Sequence, residues 1–142
     1  MESLLAEAHQ AQARSDYRAA AGAYQKALAI RPDLAELWSN LGLRRYESHD
    51  YPQAEAAFQR ALGINNSLFV PNLFLGLDLV ELKRPHQAVG YLLAAEKLNP
   101  QDAQVLLALG RAFHVLSDPA RSREWYQRAA DLAHATARPG MA

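Results

Sequence analysis

Residues 35–68 read AELWSNLGLRRYESHDYPQAEAAFQRALGINNSL. Both halves of this stretch carry apolar residues at the three- and four-residue spacing of a helix, namely Trp38, Leu41, Ala54, Phe58 and Ala61. The small residues Gly42 and Ala54 would let two antiparallel helices approach closely, while Trp38 and Phe58 would fill the volume between them. No alternating strand pattern competes, so the stretch predicts a pair of helices.

The same pattern recurs along the chain at a period of thirty-four residues. Three series show it: Gly42, Gly76 and Gly110; Ala20, Ala54 and Ala88, with Ser122 in the next place; and Ala27, Ala61, Ala95 and Ala129. Self-similarity at a fixed period of this size is typical of a stacked repeat array. We predict one all-α domain of four repeats, at 1–34, 35–68, 69–102 and 103–136, and a disordered tail at 137–142.

Acidic residues mark the expected helix starts. Asp16, Asp50 and Asp118 stand just before the second helix of their repeats, where a carboxylate oxygen can accept from free backbone N–H groups. Asp33 followed by Glu36 resembles a capping box at the start of the first helix of repeat two.

Composition excludes several classes of protein. Fifteen basic residues balance fifteen acidic ones, so the chain lacks the basic footprint of a nucleic-acid binder. There is no cysteine, and no histidine spacing suits zinc, so we expect neither a metal site nor a cofactor. No nucleophile, base and orienting group converge, so we do not expect an enzyme. No stretch is long and apolar enough to insert into a membrane, and without a secretory signal we expect a cytoplasmic protein, or an exported one if a signal has been removed.

The residues in register resemble the tetratricopeptide repeat family. The second repeat supplies the family's pattern most fully, with Trp38, Leu41-Gly42, Ala54, Phe58 and Ala61. Departures include Asn72 in place of the tryptophan and Ser122 in place of the second-helix alanine. The resemblance implies a right-handed α-solenoid of four antiparallel helix pairs. It also implies that the first helices line a concave groove that holds a peptide or helix of another protein.

The family geometry turns one stripe of each first helix toward this groove. The apolar residues of the stripe concentrate in the third repeat and extend to its neighbours: Leu43, Tyr46, Val70, Leu73, Phe74, Leu77, Val80 and Leu107. We expect these to contact an apolar segment of a partner protein. Asn40, Arg111 and His114 would orient the bound backbone or a polar end, and His9 and Glu36 would add to a polar rim.

Other interpretations of the stripe stay open. A tightly wound superhelix would turn some of these side chains into the core. The stripe could instead meet its own copy in a homodimer, or be covered permanently within a larger assembly. One family function is excluded by residue type, because the clamp that holds acidic chaperone tails needs lysine, asparagine and arginine. The matching places carry Leu5, His9, Asn40, Val70 and Phe74, of which only Asn40 fits.

Overall fold

A computed structural model describes residues 1–137 of the chain. Within that range the backbone forms eight α-helices: α1 (Glu2–Ala13), α2 (Tyr17–Ile30), α3 (Ala35–Glu47), α4 (Tyr51–Ile64), α5 (Phe69–Glu81), α6 (Pro85–Leu98), α7 (Ala103–Val115) and α8 (Pro119–Thr136). Each predicted repeat contains two of them. Ala137 follows the last helix, and the rest of the predicted tail lies outside the described residues.

Glycine brings the two helices of a repeat together. A β-carbon added to Gly42 would lie 2.7 Å from the ring of Phe58, well inside van der Waals contact, and one added to Gly110 would meet the ring of Tyr126 at the same distance. The prediction that Gly42 allows close approach of α3 and α4 is therefore confirmed. Because Phe58 fills the space that a side chain at position 42 would need, α3 and α4 are closely packed against each other.

The helix pairs stack in sequence and the stack curves. Each second helix packs on the first helix of the next repeat, as α2 does on α3 and α4 on α5. Among the described helices, α3, α5 and α7 also contact one another in succession, more closely than the second helices of successive repeats do. The side of the array that carries the first helices is therefore the shorter, concave side.

The core is unequal along the array. Around α1 to α3 the buried residues include many alanines, among them Ala8, Ala21, Ala23 and Ala27. From α4 to α7 the buried cluster contains larger side chains, including Phe58, Leu75, Leu79, Leu92 and Leu109. Burial of apolar surface stabilises a fold roughly in proportion to the area buried. The smaller side chains at the N-terminal end therefore contribute less stabilisation than those from α4 to α7.

The helix starts agree with the sequence only in part. Asp16 accepts from the backbone N–H of Ala19 and Asp118 from that of Arg121, both at 3.1 Å, as predicted. The prediction is wrong for Asp50, which makes no capping bond. It is also wrong for Asp33, because Arg31 holds this carboxylate at 3.0 Å and α3 starts after Leu34 without a side-chain cap.

Two residues that depart from the repeat pattern, Asn72 and Ser122, form hydrogen bonds at their positions. Asn72 keeps the bond that tryptophan makes there, and Ser122 adds one that alanine cannot make. In repeat two the indole nitrogen of Trp38 donates to the Pro32 carbonyl at 2.8 Å. In repeat three the amide nitrogen of Asn72 donates to the carbonyl six residues back, that of Asn66, at 3.1 Å, and to that of Leu68 at 2.8 Å. The Ser122 hydroxyl, buried in place of alanine, donates to the Gly110 carbonyl at 2.8 Å and ties α8 to α7.

Candidate protein-binding face

The predicted groove residues lie on α3, α5 and α7, but they differ in exposure. Val70 and Leu107 are open to solvent, with 38% and 49% of their surface exposed. The half-buried members pack their inner sides against the core and keep their outer sides free: Leu43, Tyr46, Phe74 and Leu77. These six side chains form the apolar part of the concave face, which we call the concave apolar patch.

Two predicted groove residues lie in the core instead. Leu73 is 1% exposed and Val80 is 7% exposed, and both belong to the buried cluster of the array. The reason is that successive first helices touch, so that a side chain between α5 and α7 is covered on both sides. Leu107 stands thirty-four residues after Leu73, and it stays open because no described helix packs on α7 from the far side. Leu73 and Val80 are therefore left out of the surface that a partner could touch.

An aromatic group joins three helices at the edge of the patch. The rings of Tyr46 and Phe74 meet edge to face with centroids 5.6 Å apart, and Tyr46 meets Tyr51 at the same distance. Such pairs add to the energy of apolar burial. Burial raises the pKa of Tyr46, and the Glu81 carboxylate adds to the rise, so this hydroxyl stays protonated at neutral pH. The group fixes the orientation of α3 relative to α5.

A cavity of about 350 Å³ opens between α3 and the start of α5. The α3 wall is largely polar and contains Glu36, Ser39 and Asn40. The rest of the lining is apolar: Leu43, one turn further along α3, and residues 68–71 at the start of α5. The structure thus brings three predicted residues, Asn40, Leu43 and Val70, to one cavity, which we call the α3–α5 pocket.

The predicted polar residues of α7 lie apart from this pocket. Arg111 is exposed and donates to the Glu81 carboxylate at 2.8 Å, which bridges α7 and α5. His114 is exposed near the end of α7, and His9 is exposed on α1. The charge of Arg111 is therefore balanced within the chain.

The sequence reasoning missed Asp78, which the structure buries completely. This residue is 0% exposed, and neither oxygen of its carboxylate has a hydrogen-bond partner within the described chain. The pKa of Asp78 is raised to about 7, first by burial and then by the nearby Glu55 carboxylate, while Arg84 opposes the rise. Arg84 cannot pair with Asp78, because it already holds both oxygens of Glu55 at 2.8 Å. The signal was helical spacing, which puts residue 78 on the same face of α5 as the buried Leu75.

Across residues 1–137, no three acidic, histidine or cysteine side chains are grouped in a way that could hold a metal ion.

None of the helices within the described range has both the length and the apolar character needed to cross a bilayer.

Comparisons with known proteins agree with this architecture. The chain is 30% identical over 135 residues to human Superkiller complex protein 3, a match that covers 91% of this chain and 9% of that protein. It is 25% identical over 124 residues to the Drosophila melanogaster BBSome complex member BBS4 homolog, covering 86% of this chain and 25% of that one. The chain thus spans only a small part of these curated relatives.

The solved structures show the same fold. A crystal structure of MamA superposes with a TM-score of 0.89 at 18% identity, covering 96% of this chain and 80% of that one. It supports the right-handed solenoid of four antiparallel helix pairs that the repeat pattern implied. The model of the tetratricopeptide repeat family matches residues 5–68 and 75–141, which is most of the sequence. With eight helices in four stacked pairs over residues 1–137, the chain belongs to the tetratricopeptide repeat family.

Proposed function

We propose that this protein is a non-catalytic binding module that holds an apolar peptide or helix of another protein on its concave face. The observation that carries the proposal is the concave apolar patch. Val70 and Leu107 expose large apolar side chains on the inner side of the curve, and the half-buried Leu43, Phe74 and Leu77 add apolar surface on α3 and α5. A contiguous apolar surface on a folded protein is typical of an interaction site.

The fold supplies what such binding needs. The patch side chains stand on three packed helices, so their positions are set before a partner arrives. Only the partner then loses conformational freedom on binding, which leaves more of the contact energy for affinity. The concave curve surrounds a bound segment on more than one side and so buries more apolar surface than a flat face would.

The test begins with short random peptides displayed on phage and selected on the purified protein. Enriched peptides are synthesised with a fluorophore, and their dissociation constants are measured by anisotropy. We expect Phe74→Glu and Leu107→Glu each to weaken binding by at least about tenfold, because a charge would be buried against an apolar segment. Circular dichroism of the variants checks that they remain folded.

A matched control comes from the other side of the array. Ile64 is 48% exposed at the end of α4, so Ile64→Glu makes the same chemical change at a similar exposure. It should leave the dissociation constant unchanged. Selected peptides that bind all three variants alike would contradict the proposal. So would light scattering that shows a stable dimer which Leu77→Asp dissociates, since the face would then bind its own copy.

A further inference from the structure

We propose that the α3–α5 pocket receives a basic side chain, lysine or arginine, from the segment bound on the concave face. The inference rests on the proposed function and names the chemistry of its partner: an apolar segment that carries a basic residue.

The unpaired acid in the pocket is the first support. Five glutamates lie on α3 to α6, and four of them hold an arginine: Glu47 with Arg44, Glu55 with Arg84, Glu81 with Arg111 and Glu96 with Arg128. The fifth is Glu36, whose carboxylate has no ion pair or hydrogen bond within residues 1–137. It is exposed on the concave side, where a cation from outside can reach it.

The wall beside Glu36 adds two more unused polar groups. The side chains of Ser39 and Asn40 line the same pocket and make no hydrogen bond within the described chain. A hydroxyl oxygen and an amide oxygen can both accept from an ammonium or a guanidinium group. Together with the carboxylate they give three kinds of acceptor on one wall. A purely apolar side chain placed here would remove these groups from water and leave them without partners.

The apolar part of the pocket lining suits the stem of the same side chain. Leu43, Leu68, Phe69 and Pro71 offer an apolar surface, against which the methylene groups of lysine or arginine can pack while the charged head reaches the acceptors. A volume of about 350 Å³ is at the small end of ligand sites, which fits one long side chain better than a cofactor.

The arginine of α7 does not oppose a cation in the pocket. It is Arg111, and Glu81 already neutralises it at 2.8 Å. The start of α5 has no side-chain cap, so its first N–H groups carry a partial positive charge. That partial charge is about half an elementary charge, smaller than the full charge of Glu36. The free N–H groups can donate to a backbone carbonyl of the same bound segment.

The experiment uses the peptides enriched on the wild-type protein. We expect most of them to contain lysine or arginine next to apolar residues. Glu36→Gln should weaken these peptides about tenfold, since it removes the charge and keeps the shape. Glu36→Lys should weaken them further, and replacement of the peptide's basic residue by glutamate should restore binding to that variant. Added salt should weaken binding to the wild type more than to Glu36→Gln.

The control variant is Glu124→Gln, which removes an exposed, unpaired glutamate on α8 and should change nothing. The inference is overturned if enriched peptides lack basic residues, or if Glu36→Gln binds them as the wild type does while Leu107→Glu still weakens them. In that case the proposed function stands. If no enriched peptide responds to Phe74→Glu or Leu107→Glu, both the inference and the proposed function fail.

Discussion

At the scale of single residues, Asp78 ties the stability of the chain to pH. Its carboxyl is neutral in both states below pH about 4, near the ordinary pKa of an aspartate. Between there and pH 7 the unfolded chain is ionised while the buried group keeps its proton, because its pKa is raised to about 7. The free energy of unfolding therefore falls as pH rises through this window, and the loss is complete above pH about 7. It amounts to up to about 4 kcal/mol.

We expect Asp78→Asn to remove this pH dependence. Urea unfolding at several pH values, followed by circular dichroism, should show the variant gaining on the wild type from pH 4 to pH 8. Asp131→Asn is the control, since that aspartate is exposed on α8 and is bonded only to Gln127. A difference between Asp78→Asn and wild type that stays constant with pH would contradict the burial of an ionisable carboxyl.

At the scale of helices, the contact between α3 and α4 depends on one missing side chain. Gly42→Ala places a methyl group 2.7 Å from the Phe58 ring, so the helices must separate or the ring must move. We expect a loss of about 2 kcal/mol in the free energy of unfolding, as for other overpacked cores. Thermal and urea unfolding measure it.

The matched change is Gly90→Ala on α6, where nothing lies within 4 Å of the added methyl group. Alanine favours a helix over glycine, so this variant should gain about 1 kcal/mol. The two substitutions are chemically identical and differ only in what the new carbon meets. If both stabilise the chain, the close packing at Gly42 is not what the structure indicates.

Helices, repeats and their pairing followed from the sequence because each depends on local spacing. The residues Gly42, Ala54 and Phe58 are enough to predict that the two helices of one repeat pack together. The positions of Leu73 and Val80 did not follow, because they depend on how tightly one repeat is wound on the next. Asp33 shows a third case, in which a local signal was overruled by a neighbouring arginine. Asp78 needed knowledge of which side of α5 meets α4. The sequence thus predicted which stripe of each first helix faces the concave side. It did not predict which residues of that stripe stay exposed to solvent.

At the scale of the whole molecule, stability should rise from the N-terminal end toward α5 and α7. Helix α1 buries only Ala8 and Ala11 and has no side-chain cap, whereas α7 buries seven residues, including Val105, Leu109 and Phe113. In a repeat array each unit is held mainly by its neighbours, so a weakly packed end opens first.

Amide hydrogen exchange measured by mass spectrometry tests this gradient. Peptides from α1 should exchange well before those from α5 and α7 under native conditions. Uniform protection along the array would mean that the chain opens as a single unit, and that the alanine-rich core around α1 to α3 is not its weak point.

The pair Trp38 and Asn72 shows what a repeat has to preserve. An indole and a carboxamide share neither size nor shape, yet each points a nitrogen at the carbonyl six residues before it. What the two repeats share at this position is therefore a hydrogen bond and not a residue type. An alignment scored by residue identity counts the position as a mismatch. A comparison scored by donors and acceptors counts the two residues as equivalent, and by that measure the third repeat resembles the second more closely than residue identity suggests.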